Sequence, residues 1–577
     1  MIPIRIEQPA SAGSSVAATD GGVIPRLVGG PPQRVLLIGF QDQDNLGLRY
    51  LMSSVRAAGH EADIATYESE PATLVSRVLR ERPELIGFSL IFQYMAPDFG
   101  RVIAALREAG VRAHITVGGH YPSFDYAEVL TRIPGLDSVV RYEGEVTLCE
   151  LLNCLANGAD WRKLAGLAYR VSDGGAHSNP LRHSVDDLDE LPLPDRTSIA
   201  YEGHLFPTAS ILGSRGCPWN CSFCSIRPFY ENQGGKLRRL RRPERVVDEM
   251  QELFEKRGVS TFLFQDDDFL ATGHRAREWA GTIADQIVKR GYAERIAFKI
   301  SCRSDEIEEG CIRRLMAGGL THVYMGVESG DEDGLLNMNK MIKPDTHLRA
   351  GRVLKSLGLS FDFGFMLMDP NSTFESIRNN IDFLEQFVGD GWSVAPFCRM
   401  LPYAGTPLRK SLEEQGRLLG SSFEPDYRFL DPKLDLFYDW MLATFHTRNF
   451  TTEGLCHLLR YSLFEARLRL PGANPTTDGD RATLQLIASI CNRTACNTLR
   501  SALEHIERTP FADLENDREF LTGLMAIEQR EEERLTCEYQ AYRQLIDARL
   551  RPTTNGGFDR TWTHWQRAEE PAGISIA

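Results

Sequence analysis

The feature that most constrains this chain is the alternation of apolar, β-branched runs with segments of helical period, and it occurs in two separate series. From residue 34, RVLLIGF (34–40), EADIATY (61–67), LIGFSLIF (85–92), HITVGG (114–119) and SVVR (138–141) read as strands, with helical segments such as LGLRYLMSSVRAAG between them. Strands joined through helices pair in parallel, so residues 33–155 are expected to form an open, doubly wound, Rossmann-like α/β sheet. Ligands of such sheets lie beyond the carboxyl ends of the strands. Those ends are QDQDNLG (41–47), Ser89, GGHYP (118–122) and YEGE (142–145), polar and glycine-rich where the strands are not.

The second series comprises TASILG (208–213), STFLFQ (260–265), RIAFKIS (295–301), HVYMGVE (322–328), FDFGFMLM (361–368) and SVAPFCR (393–399). Each is followed by a helical pattern, so residues 206–415 are expected to form a partial, TIM-like (β/α)6 barrel with its chemistry in the loops after the strands. Between the series, residues 156–205 contain DGG and LPLPDR and read as a linker with a short hairpin. Beyond residue 415 the alternation stops, and residues 416–551 read as a helical domain with a tail at 552–577. Residues 1–32, rich in Ala, Ser, Gly and Pro, read as a disordered leader.

Composition excludes more than it assigns. A chain of 577 residues accommodates roughly three to four domains. A net charge of −14 argues against a nucleic-acid binder, which would carry a basic face. No run approaches the ~18 apolar residues of a membrane span. The N-terminus lacks a basic segment followed by an apolar one, so a reducing, cytoplasmic location is expected. Most of the 12 cysteines are scattered; Cys149/Cys154 and Cys491/Cys496, spaced CxxxxC, read as small buried residues. The basic run KLRRLRRPER (236–245) reads as a solvated approach to a helix, with anion recognition as the alternative.

One stretch is different. GCPWNCSFCSIRPFY (216–230) places Cys217, Cys221 and Cys224 within eight residues, in the loop after the first barrel strand. A structural zinc site or a closed iron–sulfur cluster takes four protein ligands. Three leave a metal position open for chemistry, which points to an enzyme.

CPWNCSFC, with Phe223 before the last cysteine, resembles the CxxxCxxC signature of radical SAM enzymes. That resemblance implies a [4Fe–4S] cluster on the three thiolates, with the amine and carboxylate of S-adenosylmethionine (SAM) on the fourth iron. It also implies an external electron donor such as flavodoxin or ferredoxin. QDDDF (265–269), with Asp266 and Asp267, resembles the segment that contacts the methionyl amine. SCRSD (301–305) resembles a SAM-binding segment acting through Ser301 and Arg303. GVESGDEDGLLNMNK (326–340) is similar to the family's G-x-E-S-G segment, with Glu328 facing the cofactor. LPYAGTPL (401–408) resembles the end of the barrel in the subgroup with an N-terminal cobalamin-binding domain.

VGGHYPSFDYAEVLTRIPGLDSVVRYEGEVTLCELL resembles the second half of such a cobalamin domain. The resemblance implies cobalamin contacts from Ser89, Gly118, Gly119, His120, Glu143, Gly144 and Glu145, together with the loop Asp42, Asp44, Asn45, Leu46 and Gly47. Where some cobalamin domains place the cobalt-ligating histidine of D-x-H-x-x-G, this chain has Asp44, so imidazole is not expected on cobalt from that loop. His120 is expected at the nucleotide tail. The implied function is a cobalamin-dependent methyltransferase acting on an unactivated carbon, or a phosphinate, of a small molecule, through methylcobalamin and a 5′-deoxyadenosyl radical. The alternatives are a ring contraction, cyclisation or oxidation with the same cofactors, and an electron carrier or sensor. An open iron gives an electron carrier no advantage. A tRNA methylthiotransferase would show a second cluster motif and a basic tail.

Overall fold

The computed structural model describes residues 23–41, 44–172, 174–197, 207–468, 476–514 and 518–550. In the first domain, β1 (Arg34–Gly39), β2 (Glu61–Thr66), β3 (Leu85–Ser89), β4 (His114–Gly119) and β5 (Ser138–Arg141) pair in parallel in the order β2-β1-β3-β4-β5. The central strands β1, β3 and β4 are apolar on both faces because both are covered, whereas β2 at the edge alternates. Leu36 and Ile38 enter one core with Phe99 and Ile103, while Val35 and Leu37 enter the other with Leu48 and Val55. Strand order reverses between β1 and β3, and a crevice opens at their carboxyl ends.

Two expectations need correction here. β6 (Leu167–Arg170) and β7 (Ala176–Ser178) form the expected hairpin, but it pairs antiparallel with β5 and extends the sheet to seven strands. This part of the supposed linker therefore belongs to the first domain, where it covers an otherwise open edge. The leader reading also fails for residues 23–32. Ile24 is buried, Leu27 N donates to Ala58 O (2.7 Å), and Asn153 and Asn157 hold the carbonyls of Pro25 and Val28. The rest of the leader, residues 1–22, and the tail at 552–577 lie outside the described residues.

The second sheet is a half-barrel. Its strands are β8 (Thr208–Ile211), β11 (Thr261–Phe264), β12 (Ala297–Arg303), β13 (Leu320–Glu328), β14 (Ser360–Met368) and β15 (Cys398–Arg399). All are parallel, in the order β15-β14-β13-β12-β11-β8. The intervening β9 (Ser214–Arg215) and β10 (Arg239–Leu240) form a short antiparallel ladder around the cysteine loop. On β12–β14 a period of two separates the faces. Phe298, Ile300, Val323, Met325, Phe361 and Phe363 are buried in the core under the helices. Lys299, Ser301, Tyr324, Glu328, Asp362 and Gly364 alternate with them, half-buried, and face the lumen.

A small hairpin, Leu418–Gly420 with Pro425–Tyr427, precedes the C-terminal helices Pro432–Phe450, Leu455–Arg467, Asp478–Arg508 and Arg518–Leu550. The helix Asp478–Arg508 packs along the barrel helix Phe374–Val388, and Leu455–Arg467 lies against β14. Among the described residues no helix is long and apolar enough to cross a membrane.

Candidate active site between the two sheets

The cysteine loop is pinned from several sides. Gly216 has φ +91°, and a Cβ there would stand 1.8 Å from Leu237 O, so only glycine fits ahead of Cys217. Its N–H donates to Asp267 Oδ2 (2.7 Å). Ser222 N and Oγ donate to Met338 O (3.0 Å) and Asn337 O (2.8 Å), and Leu408 N donates to Ser222 O (2.8 Å). Phe223 packs against Met338, Met366 and Met400. Cys217 Sγ lies 3.9 Å from Asp268 Oδ2, and Cys221 Sγ lies 4.0 Å from the Arg303 guanidinium. That guanidinium stacks 3.8 Å over Trp219 and pairs with Asp305 (3.0 Å). Lys340 Nζ donates to Gly326 O (2.7 Å) and lies 3.3 Å from Glu328 Oε1.

Burial raises all three thiols, Cys224 to about 12. Cys217 is raised further by Asp268, whereas Lys340 and Arg303 oppose the rise at Cys221. Burial, and then Asp268, push Glu306 up to about 9, so at neutral pH its carboxyl holds a proton.

Next to this loop is a cavity of about 390 Å³ between the carboxyl ends of the first sheet and the mouth of the half-barrel. Leu46, Gly47, Ser89, Gly118, Gly119, His120, Glu143, Gly144 and Glu145 line one side. Arg215, Phe229, Tyr230, Gln265 and Asp267 line the other. Gly119 has φ +113°, and a Cβ there would stand 2.3 Å from Leu90 O, so the chain can pass this closely under the cavity only as glycine. His120 stacks on Phe229 (4.3 Å between ring centroids), and burial pushes its imidazole down to about 4. Arg215 bridges Glu143 (2.8 Å) and Glu145 (2.7 Å), and the fully buried Arg239 takes the second oxygen of Glu143.

Two family models cover these two regions: the B12 binding domain matches residues 39–152, and the radical SAM superfamily matches residues 211–384. The chain joins a B12-binding domain to a radical SAM domain. This radical SAM protein is 28% identical over 454 residues to an uncharacterized methyltransferase of Pyrococcus horikoshii, covering 77% of this chain and 90% of that one. It is 25% identical over 399 residues to an anaerobic magnesium-protoporphyrin IX monomethyl ester cyclase of Rubrivivax gelatinosus, covering 66% and 68%. In fold it is similar to the cobalamin-dependent SAM radical enzyme OxsB solved with aqua-cobalamin bound. The TM-score is 0.65 at 16% identity, over 90% of this chain and 80% of that chain. Its two domains are those of cobalamin and of SAM with a [4Fe–4S] cluster.

The residues of this radical SAM protein fit both groups. Three half-buried thiols with two cations beside one of them suit a cluster whose iron supplies the missing positive charge. Among the described residues no three His, Cys, Asp or Glu side chains converge as ligands of one metal ion. Ligands of a tetranuclear cluster each meet a different iron and need not converge. A planar corrin, in turn, suits a cavity floored by glycines with aromatic rings on one wall.

Several expected contacts lie elsewhere. Asp44 is buried away from the cavity, paired with Arg49 and Arg196 and accepting Ser210 N (3.1 Å), because a buried carboxylate persists only when matched by charge and hydrogen bonds. Asn45 caps the helix Leu46–Ala57 through Leu48 N (3.1 Å) and also does not line the cavity. Asp42 lies outside the described residues. Asp266 faces neither site; it accepts Gly213 N (3.0 Å) and Ser214 Oγ (2.5 Å) and shapes the turn before the cysteine loop. The basic run is not a solvated face. Arg239 and Arg241 are buried against Glu143 and Glu249, and Arg238 donates to the carbonyls of Asp268 and Phe269. Sequence reasoning missed Arg215, Phe229, Tyr230, Trp219, Asp268 and Lys340. Four of these flank or interrupt the cysteine motif, and that proximity was the available signal.

Proposed function

We propose that this chain is a cobalamin-dependent radical SAM methyltransferase acting on an unactivated carbon, or a phosphinate, of a small molecule. The observation that carries the reading is the position of the glycine-floored cavity, whose far wall, through Asp267 and Gly216, is one residue from Cys217. When bound, the cluster with SAM would supply a hydrogen-abstracting radical, and the cobalamin a transferable methyl group.

The chain's own residues bind, orient and exclude water. Cys217, Cys221 and Cys224 would hold the cluster, leaving one iron open to SAM. Arg303, fixed between Trp219 and Asp305, and Glu328, fixed by Lys340, stand beside Cys221 to orient the SAM carboxylate and ribose. Asp268 beside Cys217, with its proton-bearing neighbour Glu306, suits the methionyl amine. Ser301 lies on the lumen face of β12 in the same row as Arg303. Aligning the two cofactors across one interface places both reacting groups against one substrate, which is the protein's principal contribution. An external one-electron donor such as flavodoxin or ferredoxin completes the reading.

The test supplies purified, cluster-reconstituted protein with cobalamin, SAM deuterated in its methyl group and candidate metabolites. A product carrying the intact labelled methyl supports the reading. A product with altered ring or oxidation state and no label overturns it in favour of the non-methylating chemistry.

A further inference from the structure

The floor of the barrel lumen carries a charge imbalance that the cofactors do not use. Lys299 on β12 points inward between the outward-facing Phe298 and Ile300. Among the described residues its ammonium makes no hydrogen bond or ion pair, and it lies 5.5 Å from the centroid of the Tyr324 ring. Burial lowers the pKa of this ammonium, and Asp362, the carboxylate that opposes the shift, is already engaged. Arg460 Nε lies 3.3 Å from it, His322 Nε2 3.5 Å, and Ser393 Oγ donates to it at 3.3 Å. Arg460 belongs to the helix Leu455–Arg467, which lies against β14, and His457 stands one turn before it. Tyr324 remains a neutral phenol, raised by burial and by Glu328. One carboxylate thus faces a lysine and an arginine, while burial lowers the imidazoles of His322 and His457 toward their neutral form.

We propose that Lys299 and Arg460 hold an oxyanion of the substrate, a carboxylate or a phosphate, at the floor of the lumen. The inference rests on the reading of the lumen as the substrate chamber. A cation left without a partner in a shielded site is costly unless a ligand completes it, and Asp362 keeps Arg460 oriented without neutralising Lys299. Four residues of strand separate Lys299 from Arg303 at the SAM end, roughly 13 Å. The substrate is therefore an acid whose anionic group lies about that far from the SAM-side guanidinium, on an otherwise less polar body. It is distinguished from neutral substrates by this pair.

The test is thermal unfolding of the full chain, loaded with cluster and cobalamin. Inorganic phosphate and acetate are compared separately with potassium chloride of equal ionic strength. Phosphate or acetate should raise Tm by about 2 °C or more, by preferential binding to the folded state. The stronger of the two assigns the oxyanion. Lys299→Met should unfold at a higher temperature than the parent in chloride, because it removes an uncompensated charge, and should lose the oxyanion response. Lys299→Arg should keep the response. No response to either oxyanion, an equal response in Lys299→Met, or a Lys299→Met protein that is less stable or fails to fold would each overturn the proposal, the last by showing an ammonium already satisfied by the fold. None of these readouts involves methyl transfer, so the oxyanion site and the methyltransferase reading fail separately.

Discussion

Three consecutive aspartates occupy three different places. Asp266 holds the turn Gly213–Ser214, Asp267 holds Gly216 and lines the cavity, and Asp268 faces Cys217. The motif announced a polar loop, but which carboxylate turns which way depends on partners distant in sequence, so only the loop was legible. The cysteines stand out in the sequence because a cluster with one open iron calls for this spacing. Replacing Cys217, Cys221 or Cys224 by Ala should abolish SAM cleavage and the visible absorption of the cluster, whereas Cys491→Ala should retain both; full cleavage by Cys221→Ala would remove the assignment. A second residue-scale prediction concerns acid stability. His114, 2.8 Å from Ser138 Oγ and edge-on to Trp161, is pushed by burial down to about 4. Between the ordinary histidine value and about pH 4 the unfolded chain binds a proton that the folded chain does not. The stability this group contributes is therefore fully present above about pH 6.5 and is lost as pH falls, by up to about 1.4 kcal/mol per pH unit. Urea unfolding at pH 7 and pH 5 should show a smaller acid loss for His114→Gln than for the parent; equal losses would contradict the assignment.

At the scale of elements, both strand series were readable because strands buried on two faces are continuously apolar, and that pattern survives without knowledge of tertiary partners. The hairpin β6–β7 was placed correctly but assigned to a linker, because short half-exposed strands do not reveal which edge they cover. The basic run was misread for a related reason: Arg239 on β10 and Arg241 just beyond it turn inward, against Glu143 on a distant segment and Glu249 on the following helix. Their burial makes a strong prediction. Removing one partner of a buried ion pair costs about 3–5 kcal/mol, so Arg239→Met, which strips Glu143 of one of its two arginines, should lower stability by that order in urea unfolding; a loss under about 1 kcal/mol would show that Glu143 is satisfied by Arg215 alone. Gly119→Ala should cost about 1–3 kcal/mol from its left-handed backbone. It should also weaken cobalamin retention on gel filtration, since the close approach to Leu90 O would be lost.

In the whole molecule two mainly parallel sheets, the first with an antiparallel hairpin at one edge, turn their carboxyl ends toward one cavity and are joined by contacts from three regions. Gln93 Oε1 accepts Ala404 N (2.7 Å), Asp125 pairs with Arg409 (2.8 Å), and Asp44 reaches Arg196, which also holds Glu249 (2.8 Å). These ties fix the B12-binding domain against the barrel, and the C-terminal helix Leu455–Arg467 reaches Asp362 on β14 through Arg460. The central claim is that both cofactors serve one reaction at this junction, so SAM is consumed in two ways. The most direct measurement is the product ratio during turnover of a true substrate by the reconstituted protein. About one 5′-deoxyadenosine and one S-adenosylhomocysteine are expected for each methylated product, the partition that follows when the cofactors carry both steps. Product formed with 5′-deoxyadenosine but with no S-adenosylhomocysteine above background would contradict it.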